Sequence, residues 1–218
     1  MNKMVIINGS PKTVGSTSSI FIDEIKRLLD ITPIVYQSTQ LILDVENSKV
    51  MSNILEADVL LFVFPLYVDC IPVSLIKILT TIEQEAMKAN EKFPIVYAIS
   101  NCGFIEAKDN HLALDIVKNF ATSVGMLWGY GIGIGGGGFV ASQSKNMRKS
   151  GPVSNVYAAL VELASAMKNQ HMKNQHVFVT PKIPRFMYKF GGNLGWYLMG
   201  RKYGTVRSLK TRPHAYKK

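Results

Sequence analysis

The sequence predicts an open, doubly wound α/β sheet built as one core domain. Three observations carry that expectation: strand and helix patterns alternate five times, the strand segments are apolar on both faces, and the connections between them are short. A chain of 218 residues is long enough to bury a proper core. With 47% hydrophobic and only 18% charged residues, it falls outside the disordered class.

The first strand is KMVIIN (Lys3–Asn8), a β-branched run bounded by turn residues. A helix is expected from Ser16 to Leu29. Ile20, Phe21, Ile25, Leu28 and Leu29 fall at helical spacing there, with Asp23 and Glu24 ahead of Lys26 and Arg27, which suits the helix dipole. PIVYQ (Pro33–Gln37) is the second strand, followed by a weaker helix from Asn47 to Ala57. DVLLFVFPLY (Asp58–Tyr67) is a continuous apolar run of the kind found in central parallel strands. Val73–Met87 is helical, FPIVYAISN (Phe93–Asn101) the fourth strand and Asp109–Val124 the next helix. LWGYGIGIG (Leu127–Gly135) is the fifth strand and Val153–Lys168 the fifth helix. The domain is therefore expected over residues 1–168, with a C-terminal extension over 169–218.

The extension is basic. The net charge is +10, yet Glu162 is the last acidic residue, so the excess belongs to the C-terminal quarter. Pro184 suits a helix start, and Met187, Phe190, Leu194 and Leu198 follow with Arg and Lys between them; Gly191, Gly192 and Gly195 weaken the helix. Two readings stay open for this segment. It packs on its own domain or a sister subunit, which is the favoured reading, or it lies on an anionic membrane near lipophilic quinones. No nucleic-acid-binding fold accompanies the charge, so nucleic acid is not expected.

No apolar run approaches the roughly 20 residues needed to cross a bilayer. Only Lys3 precedes the first apolar run, which is too short for a signal peptide. With two cysteines, Cys70 and Cys102, a disulfide framework is not expected, and the protein reads as reduced and cytoplasmic. The tandem MKNQHMKNQH (Met167–His176) matches no repeat architecture and reads as a small duplication; His171 and His176 have no nearby acid or cysteine in sequence to complete a metal site, and no metal is expected.

In a doubly wound sheet, ligands bind beyond the carboxyl ends of the strands, where the strand order reverses. After the first strand, Gly9 turns the chain and Pro11 stiffens the loop. Ser10, Ser16, Thr17 and Ser18 bring hydroxyl groups, and a helix N-terminus begins at the same place. Hydroxyls and free amides at a helix N-terminus make an anion site, usually for phosphate, although the Gly-Lys-Ser/Thr triplet of a triphosphate loop is missing. An ordinary serine-capped helix is the alternative. After the third strand, Pro65, Leu66, Tyr67 and Val68 supply apolar surface; after the fourth, Asn101, Cys102, Gly103 and Phe104 offer an amide, a close backbone approach and an aromatic wall.

These loops resemble a known family. NGSPKTVGSTSS resembles the phosphate loop of the flavodoxin-fold NAD(P)H-dependent FMN oxidoreductases, which include FMN reductases and quinone reductases. PLYVDCIPVSL (Pro65–Leu75) is similar to the family's second FMN loop, and SNCGFIEAKDNH (Ser100–His111) to its third. RFMYKFGGNLGW (Arg185–Trp196) resembles one branch of the same family. The resemblance implies a flavodoxin-like, five-stranded parallel sheet of order 2-1-3-4-5. It also implies a homodimer, with FMN as cofactor and NADPH or NADH as co-substrate. FMN would be held by Ser10, Lys12, Ser16, Thr17, Ser18, Pro65–Val68 and Asn101–Phe104. A nicotinamide would pass hydride through FMN to a small acceptor: a quinone, a flavin, or a nitro or azo compound. A flavodoxin-type electron carrier is the alternative. Because the flavin carries the chemistry, no catalytic side chain is expected, although Asn101 and His111 are candidates for stabilising reduced flavin. Some family members carry an iron–sulfur cluster between strands two and three; Ser38–Met51 holds no cysteine, so none is expected here.

Two further patterns are set aside. GIGIGG (Gly131–Gly136) fits G-x-G-x-x-G, but no helix is expected after it and no acid occurs between Asp115 and Glu162; the Gly135–Gly138 run reads instead as a flexible loop beside the flavin. Cys102 lacks a nearby histidine base and reads as structural.

Overall fold

The computed structural model describes residues 3–29, 31–44, 48–88, 93–143 and 151–208. The β-branched run forms β1 (Met4–Asn8), buried along its whole length. Its neighbours are β2 (Ile34–Gln37) and β3 (Val59–Pro65), both parallel to it. β4 (Ile95–Asn101), β5 (Leu127–Ile134) and β6 (Val177–Val179) continue the sheet in the order β2-β1-β3-β4-β5-β6. The expected five strands are therefore six. β6 pairs in parallel with β5 from Ile132–Val177 to Ile134–Val179. Three residues are too few to show a period of two, so only pairing across the fold reveals the strand.

The helices are α1 (Thr17–Leu28), α2 (Ser38–Leu41), α3 (Ser48–Leu55), α4 (Val73–Ala86), α5 (His111–Ser123), α6 (Gly137–Ser142), α7 (Ser154–Lys168) and α8 (Arg185–Lys202). α2 was not expected, and the expected start of α3 at Asn47 lies outside the described residues. A 3-10 turn, Ala107–Asn110, precedes α5 where a longer helix was expected.

Strand side chains alternate faces. Met4 and Ile6 of β1, with Val59, Leu61 and Val63 of β3, pack against Phe21, Ile22 and Ile25 of α1 and Val156, Leu160 and Leu163 of α7. Val5, Ile7, Leu60, Phe62 and Phe64 join Ile54 of α3, Leu75, Ile78 and Ile82 of α4, and Leu114 and Val117 of α5. Both faces of the sheet are covered, which is why its strands read as unbroken apolar runs. Each such side chain contributes about 1.5–3 kcal/mol on burial.

The chain divides into two compact units, Met1–Lys182 and Ile183–Lys218. The first holds the sheet; the second holds α8 and a short 3-10 turn at Val206–Ser208. Residues 209–218 of the expected extension lie outside the described residues. Among the described residues no helix is long and apolar enough to cross a membrane.

Candidate functional site

β1 lies between β2 and β3, so the chain reverses its direction of travel across the sheet there, and a crevice opens beyond the carboxyl ends of β1 and β3. Gly9 lets the chain leave β1 there: a Cβ on it would meet Phe64 Cβ at 2.8 Å and Leu75 Cδ2 at 2.9 Å. Its N–H donates to the Val63 carbonyl at 2.8 Å, holding the loop against β3. The Ser10 N–H donates to Asn8 Oδ1 at 3.1 Å and the Lys12 N–H to Ser10 Oγ at 3.2 Å, so two side chains shape the loop locally. Gln37 of β2 adds a bond from its amide to the Ser10 carbonyl.

Ser16 is the N-cap of α1, its Oγ accepting from the Ser19 N–H at 3.0 Å. That leaves the amides of Thr17 and Ser18 without intrahelical acceptors at the positive end of the helix dipole. No acidic residue sits in the first turn to compete with an anion.

The three loops meet in one cleft of about 280 Å³. It is lined by Ser10, Lys12, Gly15, Ser16, Thr17 and Ser18, then Pro65, Leu66 and Tyr67, then Asn101, Cys102 and Gly103, and finally Gly137 and Gly138. Eleven of the thirteen residues singled out in the sequence therefore line a common cleft. Val68 and Phe104 are not among its lining. Val68 is 97% exposed at the tip of a tight turn closed by reciprocal Tyr67–Cys70 backbone bonds of 2.9 and 3.0 Å. Val68 (φ 49°) and Asp69 (φ 57°) both sit in the left-handed region, a strained placement for a β-branched residue. Phe104 is exposed, and its carbonyl receives the Gly136 N–H.

A larger depression of about 500 Å³ lies elsewhere, between Ile42–Leu43 and Ile76, Lys77, Thr80, Thr81 and Gln84 of α4. It has neither strand ends nor a helix N-terminus, so it lacks the convergent donors that distinguish the strand-end cleft.

Three glycines beyond those thirteen also line the cleft, two of them in the run expected as a flexible loop beside the flavin. Gly137 and Gly138 begin α6, a helix where none was expected. A Cβ at Gly137 would lie 3.1 Å from the Cys102 carbonyl and 3.2 Å from Asn101 Oδ1, so the glycine run is a packed wall of the site. The run of glycines hid the helix because glycine is a poor helix former; a left-handed Gly136 (φ 62°) turns the chain into it. Gly15, also at positive φ (64°), completes the phosphate-type loop.

Asn101 is buried and already committed. Its Nδ2 donates to Ser18 Oγ at 3.2 Å and to the Phe64 carbonyl at 2.9 Å. Leu66 donates its N–H to the Asn101 carbonyl at 2.8 Å. Asn101 is thus a clamp between loops. Cys102 is buried, and burial pushes its thiol pKa up, against which the Asn110 amide at 3.3 Å works only partly. A raised pKa withholds the thiolate a nucleophile needs, in keeping with a structural role. His111 is exposed at the start of α5, its Nδ1 3.0 Å from the Lys108 carbonyl, and does not line the cleft.

The tandem repeat ends at His176, whose Nε2 lies 3.0 Å from Asp115 Oδ1, a partner 61 positions away that sequence spacing could not show. Its ring stands edge-on to Trp128 and Phe178. Among the described residues no three His, Cys, Asp or Glu side chains are grouped to hold a metal.

No protein-family model and no curated protein matches the chain. Solved structures do. An NADH:FMN oxidoreductase in its apo form aligns over 85% of this chain and 97% of its own, with TM-score 0.58 and 16% identity. General stress protein 14 of Treponema denticola, in complex with FMN, aligns over 74% and 99%, with TM-score 0.54 and 14% identity. A WrbA-like flavodoxin protein of Agrobacterium tumefaciens aligns over 78% and 99%, with TM-score 0.51 and 12% identity. The chain has a flavodoxin-like fold. In a flavodoxin-like sheet the cleft described above lies at the switch point between β1 and β3, with β6 added at the far edge.

Proposed function

We propose that the protein is an FMN-dependent oxidoreductase that takes hydride from NADH or NADPH and passes electrons to a small acceptor, such as a quinone, a flavin, or a nitro or azo compound. The observation that carries this reading is the single cleft in which an anion cradle at the start of α1 adjoins the apolar Pro65–Tyr67 loop and the Asn101–Gly103 loop. The fold shared with an NADH:FMN oxidoreductase and with an FMN complex supports it.

The donor set fits a flavin mononucleotide. Among the described residues Lys12 is the one cation in the cleft lining and no carboxylate lines it, and the hydroxyls of Ser10 and Thr17 accompany the amides at the helix start. Those groups would hold the phosphate. Leu66 and Tyr67 would supply apolar surface for a flat ring, and Gly103, beside which a Cβ would meet nothing within 4 Å, leaves room for it. When bound, the flavin supplies hydride acceptance and electron delivery. The protein's own share is binding and orientation. The Asn101 clamp fixes the spacing of the three loops, and Gly137 lets the fourth wall approach.

The test is to reconstitute the purified protein with FMN, remove free flavin, and record the visible spectrum while adding NADH or NADPH anaerobically. Retained flavin that bleaches with either nucleotide supports the proposal and identifies the donor. Retained flavin that neither nucleotide reduces would favour an electron carrier, and no retained flavin would overturn the reading of the cleft.

A further inference from the structure

α8 carries an apolar face with nothing in its own sequence to cover it. At 3.6 residues per turn, Phe186, Met187, Phe190, Leu194, Tyr197 and Leu198 share one side of the helix, which Arg201 closes at its C-terminal end and Gly191 borders, while Gly192 and Gly195 fall away from it. Every one of the six is exposed, Phe186 at 72% and Phe190 at 69%. An exposed face of this size marks an interaction surface. The helix itself needs one, because interior glycines each weaken it and isolated helices draw most of their stability from packing an amphipathic face.

Charge decides the occupant. The unit Ile183–Lys218 contains nine of the chain's 25 Lys and Arg and no Asp or Glu, whereas residues 1–182 hold sixteen basic against fifteen acidic residues. Two copies of this helix laid face to face would bring two wholly basic segments together. An anionic surface is complementary to it. Tyr203, exposed just past the end of the helix, adds an amphipathic ring suited to a headgroup layer, and the helix is not long and apolar enough to cross a bilayer.

We propose that α8 is an interfacial helix that seats this protein on the surface of an anionic lipid bilayer, the apolar face entering the headgroup boundary and the Lys and Arg side chains meeting the lipid phosphates. The proposal is independent of the flavin reading, since it rests on none of the cleft residues.

The full-length protein is co-sedimented with vesicles of phosphatidylcholine alone and of phosphatidylcholine with phosphatidylglycerol, at low and at high salt. Binding to the anionic vesicles is expected to be at least about tenfold tighter than to the neutral ones and to weaken strongly with salt. The double variant Phe190→Asp/Leu194→Asp should abolish binding while the far-UV spectrum and thermal unfolding of the sheet unit persist. Lys189→Gln/Lys202→Gln, which leaves the apolar face intact, should weaken it. Absence of binding to anionic vesicles, or equal binding to neutral ones, would overturn the proposal. So would a dimer, seen by sedimentation velocity without vesicle binding, that the Phe190→Asp/Leu194→Asp variant dissociates; the face would then belong to a second copy.

Discussion

Asn101 donates from its side-chain amide to the Ser18 hydroxyl at 3.2 Å, joining the end of β4 to the first turn of α1 across 83 positions of sequence. The same nitrogen reaches the Phe64 carbonyl at 2.9 Å, so one buried group sets the spacing of all three strand-end loops. Replacing Asn101 by Leu removes both side-chain bonds from the buried junction, at a cost of about 1–3 kcal/mol. FMN affinity should fall by about tenfold, which is 1.4 kcal/mol. Urea unfolding and a flavin-fluorescence titration measure the two effects; unchanged affinity would remove Asn101 from the site's architecture.

Lys12 and Ser16 separate the proposed phosphate cradle from the helix cap. Lys12→Gln removes a cation from the cleft lining and should weaken FMN binding by about tenfold or more, since a hydrogen bond to a charged group is worth about 1.5–3 kcal/mol, while riboflavin, which has no phosphate, should bind as before. Ser16→Ala deletes the acceptor for the Ser19 N–H and should cost about 0.5–2 kcal/mol in stability whether or not a ligand is present. Parallel titrations with the two flavins distinguish the roles. Equal losses for FMN and riboflavin in Lys12→Gln would place the phosphate elsewhere.

The glycine run should respond unevenly. A Cβ at Gly135 would stand 2.1 Å from the Ile105 carbonyl and 2.8 Å from the Ala107 amide, backbone atoms that cannot step aside. Gly135→Ala should therefore destabilise by about 1–3 kcal/mol or more. At Gly138 a Cβ meets nothing within 4 Å, and alanine in α6 gains up to about 1 kcal/mol of helix propensity. Thermal unfolding of both variants tests whether this wall is tightly packed. Similar melting temperatures would show a loose loop.

Tyr97 and Tyr130 stand edge to face, 5.8 Å between centroids, in the core beneath β4 and β5. The Tyr97 hydroxyl donates to the His171 carbonyl at 2.8 Å, whereas the buried Tyr130 hydroxyl has no hydrogen-bond partner among the described residues. Tyr97→Phe should cost about 1 kcal/mol at neutral pH, and Tyr130→Phe should be neutral or stabilising. Burial pushes the Tyr97 pKa from 10.0 up to about 12 and that of Tyr130 in the same direction. An unfolded tyrosine ionises first, so the unfolded chain binds fewer protons above pH 10 and stability falls as pH rises from 10 to about 12. Denaturation midpoints over that window should decline less steeply in Tyr97→Phe. An identical slope would contradict the assignment.

Local pattern made much of this protein legible. β1 shows itself because β-branched residues fill both faces, and α1 because Ser16 caps a run whose apolar spacing is helical. The three loops that line the cleft were legible because each follows directly from a strand. What escaped was short or glycine-rich: β6 is three residues, α2 four, and α6 opens on Gly137 and Gly138.

Chain-local chemistry alone determined the alternating elements, the serine-capped start of α1, and the basic segment from Ile183 onward, because each depends on neighbours a few positions apart. Tertiary structure decided which of the named residues meet. It made Asn101, which lines the cleft, a clamp between loops as well, left Val68 and Phe104 outside the cleft lining, joined the Gly137 N–H to the Cys102 carbonyl at 2.7 Å, and gave His176 its Asp115 partner. Those contacts are set by strand register and by the close packing of loops far apart in sequence, which no local periodicity encodes.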